Sequence, residues 1–200
     1  MRLKYTKMSY IASTIAGYFI EKSNKEEQPL SVLRLIKLVY ISHGWNLALY
    51  DSPLISDRIE AWKYGPSIPS LHDLFKGMGL KKDDLVNSTV GEVSCIREEH
   101  IRLLSKVYVK YEKITGEQLS DLMHEKDTPW HTVWDNEKGR DKIIENEAIK
   151  LYYSKQINKD SFDALPTTSP ITSKKKAETF LKKAGILLDN GELHPFYINS

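Results

Sequence analysis

The sequence predicts a mainly α-helical, compact multi-helix domain with little sheet, followed by a small appendage of one helix and a β-hairpin. Three observations carry this. Apolar residues recur at three- and four-residue steps in several separate stretches before residue 157. Segments with strand-like alternation are short and few. A segment with two prolines and three hydroxyl residues, LPTTSP at 165–170, marks a linker. The expected layout is a domain over 1–157, a linker over 158–172 and an appendage over 173–200.

The first helix is expected over Tyr5 to Lys22, with Met8, Ile11, Ala12, Ile15, Tyr18 and Phe19 on one face. A second runs from Leu30 to Tyr50, capped by Ser31 or opened by Pro29 in its first turn. Leu33, Ile36, Val39, Tyr40, Ile41, Leu47 and Leu49 occupy most of its circumference, so it should be buried on several sides. Gly44 in its interior costs about 1 kcal/mol against alanine, which points to a close helix crossing. Asp51-Ser52-Pro53 is a turn. Arg58 to Trp62 reads as a short strand or extended segment, broken by Gly65-Pro66 and Pro69.

A short helix from Pro69 to Lys76 should end at Gly77 and Gly79, where a left-handed cap fits. Lys81 to Cys95 reads as loop with some extended structure. Arg97 to Ile114 reads as a helix with Ile101, Leu104, Val107, Tyr108 and Tyr111 on one face. Thr115-Gly116-Glu117-Gln118 starts another helix, reaching His124. Thr128-Pro129-Trp130 opens a short helical turn that places Trp130 and Trp134 on one face. Gly139-Arg140-Asp141 precedes a helix ending near Tyr153. In the appendage, Ser173 to Lys183 is a helix, and Asn190-Gly191 is the favoured two-residue turn of a hairpin.

Hydrophobic residues at 40% and charged residues at 28% describe an ordinary globular chain, not a disordered one. A net charge of +2 gives no global attraction to nucleic acid or to an anionic membrane. The lone Cys95 fits a reducing, cytoplasmic setting, and it reads as structural or incidental. The N-terminal stretch reads as no signal peptide, and no apolar run reaches transmembrane length.

No catalytic residue, metal ligand set or cofactor motif emerges. His124 and His131 lie seven apart, but Pro129 interrupts any helix that would align them on a metal. Asp121 and His124 stand three apart, and without a nucleophile or a phosphate-binding glycine loop they read as a helix-surface hydrogen bond.

Residues 35–79 read LIKLVYISHGWNLALYDSPLISDRIEAWKYGPSIPSLHDLFKGMG. An apolar helix runs into Gly44-Trp45, with Ala48 shortly after and Pro53-Leu54 beyond. Glu60-Ala61-Trp62, Tyr64-Gly65-Pro66 and Pro69 follow, and further on LSDLMHEKDTPW carries His124, Pro129 and Trp130. This ordered set resembles the Panacea domain of phage-associated proteins and SocA-type antitoxins, over roughly residues 5–153. Met123 precedes His124 where the family often has threonine or serine, and Ser42-His43 replaces a more usual Ala-Gln.

The resemblance implies a Panacea-type fold and an antitoxin that neutralises a cognate toxin, encoded beside it, by direct protein contact. It also implies a second role to weigh, a protease adaptor that promotes toxin degradation; a further alternative, from a different class, is a nucleic-acid-binding regulator of its own operon. Self-association is a further expectation. Trp62, Tyr64, Gly65, Pro66 and Pro69 either pack in the core and lock a turn or form part of a partner surface, on which Lys63, Tyr64 and Pro66 are the candidates. Lys174, Lys175 and Lys182 lie on a basic helix that is a solvated face or a patch for an acidic toxin, with DNA only weakly supported. Phe196 and Tyr197 sit on a hairpin too short to stand alone, so they should pack on the domain, a twin chain or a toxin.

Overall fold

The computed structural model describes residues 9–134 and 141–157. Along them run α1 (Ala12–Lys25), β1 (Leu30–Ser31), α2 (Val32–Tyr50), β2 (Glu60–Trp62), β3 (Gly65–Ser67), α3 (Pro69–Gly77), β4 (Leu85–Val86), α4 (Glu98–Lys110), α5 (Gly116–His124), α6 (Pro129–Val133) and α7 (Asn146–Ile157). Seven helices and two two-stranded antiparallel sheets among the described residues make the domain mainly α. The expected linker, basic helix and tail hairpin, 158–200, lie outside them.

The core is built around α2. Its run from Val32 to Leu47 is apolar on nearly every side, and all of it except Arg34 is buried. Helices α1, α3, α4, α5 and α7 pack against it. Ser31 is the cap, its Oγ accepting the Arg34 N–H at 3.3 Å. Asp51 closes the other end in the left-handed conformation. Gly44 marks the expected close crossing. A β-carbon there would run into the Tyr153 ring of α7, which is itself packed edge-on against Tyr40 and Trp45, at 6.3 and 5.3 Å.

Three expectations are corrected. The first helix begins at Ala12 because the chain before it is pulled into a β-bridge. Tyr10 exchanges backbone hydrogen bonds with Leu54 and Ser56, each 2.8 Å, and the distant Asp57 carboxylate accepts the Ala12 N–H at 2.7 Å. Ile11 thereby stands outside the helix and 60% exposed. In α4 the buried stripe is His100, Leu103, Leu104, Val107 and Tyr108, and Ile101, one step off that stripe, is partly exposed.

The third correction concerns Gly65-Pro66, expected as a break. It opens β3, which pairs with β2 in the register Glu60↔Ser67, Ala61↔Pro66 and Trp62↔Gly65. Lys63 and Tyr64 form the two-residue tip. Proline has no N–H to donate, but its carbonyl remains free to accept. Along the other edge of β2, Ala61 donates to Lys142, and Asp141 and Ile144 donate to Ala61 and Ile59, at 2.8 to 3.0 Å. No helix among the described residues is long and apolar enough to cross a membrane.

Candidate partner-binding site

Three distant segments grip the β2–β3 hairpin by alternate backbone carbonyls. The Trp130 indole Nε1–H of α6 donates to the Trp62 carbonyl at 2.8 Å. The Ser120 hydroxyl of α5 donates to the Tyr64 carbonyl at 2.7 Å. The Lys37 ammonium of α2 donates to the Pro66 carbonyl at 2.8 Å. Within β2, Glu60 accepts from the Trp62 indole at 2.9 Å and pairs with Arg58 at 2.7 Å. Gly65 is required for two reasons. Its φ is +89°, and a β-carbon there would crowd the Lys37 Nζ at 3.0 Å.

Each gripping residue is set by its own helix. Thr115 and Gln118 form a reciprocal capping box that starts α5. The Thr128 hydroxyl caps α6 by accepting the His131 N–H at 3.2 Å. That fixes Trp130, which stacks on Trp134 at 5.1 Å as the four-residue spacing implied. Lys37 is only 1% exposed. Burial pushes its pKa down from 10.5 to about 7, and among the described residues no carboxylate offsets the desolvation.

His124 departs from expectation. Its ring lies 4.1 Å from the Trp130 indole, and burial and the nearby Lys37 hold its pKa below the usual histidine value. Its Nε2 is buried without a hydrogen-bond partner among the described residues, and Asp121 acts on it only as a neighbouring charge.

Residues 35–131 match the family model described as antitoxin SocA-like, Panacea domain. All three donors and all three accepting carbonyls of the hairpin lie inside that span. The chain is also similar to the protein named antitoxin SocA of Caulobacter vibrioides (strain NA1000 / CB15N). The two are 28% identical over 130 residues, which is 61% of this chain and 69% of that protein. Residues 35–131 are thus similar to a SocA-like Panacea domain. No solved structure matches it. The match is narrower than the 5–153 expected from the motifs, and α1 and α7 fall outside it.

Lys63 and Tyr64 stand exposed together at the hairpin tip, Tyr64 by 47%. Their amine and ring are 5.8 Å apart, and the Lys82 amine lies 5.3 Å from the same ring. Pro66, expected on the same surface, is buried in β3 with its carbonyl taken by Lys37. Trp62 is half-buried, with His72 packed edge-on at 4.8 Å. Lys174, Lys175, Lys182, Phe196 and Tyr197 lie outside the described residues. Sequence reasoning missed Lys37 and Ser120. Lys37 did leave a signal, since it is the one charge in the run LIKLVYI, on a helix expected to be buried on several sides.

Beside the hairpin opens a cleft of about 680 Å³ between α2, the hairpin, α3 and the segment 80–82. Lys37 and Trp62 are among the residues that line it, and Lys63 and Tyr64 form part of its rim. Elsewhere, buried polar groups serve the fold. His43 Nδ1 accepts the Ile55 N–H at 3.2 Å, which leaves its Nε2–H to donate to Asn146 at 2.8 Å and ties α7 to α2.

Proposed function

We propose that this chain is an antitoxin that silences a toxin by direct contact through the tip of the β2–β3 hairpin, acting by binding and not by catalysis. The observation that carries the reading is the match of residues 35–131 to a family described as antitoxin SocA-like. The physical support is preorganisation. Three carbonyls of the hairpin are held from beneath, so a partner meets a tip whose backbone loses little freedom on binding. Tyr64 offers a large exposed aromatic surface at low entropic cost, and Lys63 and Lys82 beside it favour an acidic partner patch.

The test is expression of the protein encoded in the adjacent reading frame, alone and together with this chain. The expected outcome is growth arrest by the neighbour alone, restored growth on co-expression, and co-purification of the two. A harmless neighbour, or arrest that persists on co-expression, contradicts the reading.

A further inference from the structure

The cleft beside the hairpin has a composition that neither the fold nor a flat protein-binding surface requires. Its size lies within the range of about 300–1,000 Å³ that small-molecule sites occupy. Lys37, Lys63, Lys76, Lys81 and Lys82 line it, against the single carboxylate of Asp141. Lys82 is partly neutralised by Asp83 at 2.7 Å. Lys37 is not neutralised among the described residues. It is 1% exposed and hydrogen-bonded to the Pro66 carbonyl, although an ammonium has three N–H donors. Four ring-bearing side chains, Trp62, Tyr64, His72 and Trp134, line it as well.

A buried ammonium without a counter-charge is costly, and an arriving anion would supply the missing partner. A bare phosphate is too small for the space and leaves the rings unused. A neutral ring leaves the lysines unused. We propose that this cleft binds a small polyanion carrying a planar ring, of the nucleoside triphosphate class, with its phosphates on Lys81 and Lys82 close to the buried charge of Lys37 and its ring against the aromatic side chains. This does not rest on the antitoxin reading, and the two are tested separately.

The intact chain is titrated by calorimetry with ATP, with tripolyphosphate and adenosine as component probes and a glutamate-rich peptide as a protein-like polyanion. ATP is expected to bind at least tenfold tighter than any of the other three. At pH 8 its binding takes up protons, seen as a heat that varies with the buffer's ionisation enthalpy, because the anion draws a proton onto Lys37, whose pKa is about 7 without it. Lys37→Met should weaken ATP binding at least tenfold and abolish the proton uptake. The surface double variant Lys81→Glu/Lys82→Glu should weaken it similarly without touching the core, which guards against a folding defect in the first variant. ATP binding no tighter than tripolyphosphate, peptide binding as tight as ATP, or unaltered affinity in the double variant overturns the proposal.

Discussion

Lys37 shows how one side chain can serve a surface while weakening the core. It places its ammonium under the Pro66 carbonyl, inside a helix whose neighbours are otherwise apolar. Its folded pKa of about 7 lies below the ordinary lysine value of 10.5. The unfolded chain therefore binds the proton more tightly between those values, and stability rises with pH across that window. Lys37→Met fills the same space without the charge. It should stabilise the domain at pH 7 by about 1–3 kcal/mol, seen as a raised Tm in thermal unfolding. The gain should be full below about pH 7 and shrink as pH rises toward 10. A variant less stable than the parent at pH 7 would show that the Pro66 hydrogen bond outweighs the buried charge.

At the scale of elements, α2 and its crossing with α7 were legible from the chain, and the hairpin was not. Apolar residues around the whole of α2 announce a central helix, and an interior glycine announces a close neighbour. Gly44→Ala would improve helix propensity but drive a methyl group into the Tyr153 ring, which Tyr40 and Trp45 hold in place. The expected net effect is a destabilisation of about 1–3 kcal/mol in denaturant unfolding. Adding Tyr153→Ala to Gly44→Ala should cost less than the sum of the two single changes, and strict additivity would deny the contact. Strand β3 escaped the reading because Gly-Pro locally signals a break, whereas its pairing with β2 is fixed by donors to the hairpin that lie at positions 37, 120 and 130. The true start of α1 escaped for the same reason, since Leu54, Ser56 and Asp57 decide it from more than forty residues away.

For the whole molecule, the pinned hairpin accounts for why motifs so far apart in sequence occur as one set. EAW–YGP supplies the carbonyls, LIKLV supplies Lys37, LSDL supplies Ser120 and TPW supplies Trp130. Exposure at the candidate surface was legible in part. Lys63 and Tyr64 are exposed as expected, whereas Pro66 is buried, because a proline in a turn and one in a strand look alike along the chain. The tip is the proposed docking site of a toxin. The most direct measurement is the Kd of the adjacent-frame protein for the parent chain and for Lys63→Ala/Tyr64→Ala. Both residues are exposed, so the variant's stability should stay within about 0.5 kcal/mol of the parent. The expected result is affinity weakened by about tenfold or more, with growth rescue lost in parallel. An unchanged Kd in a folded variant would contradict it.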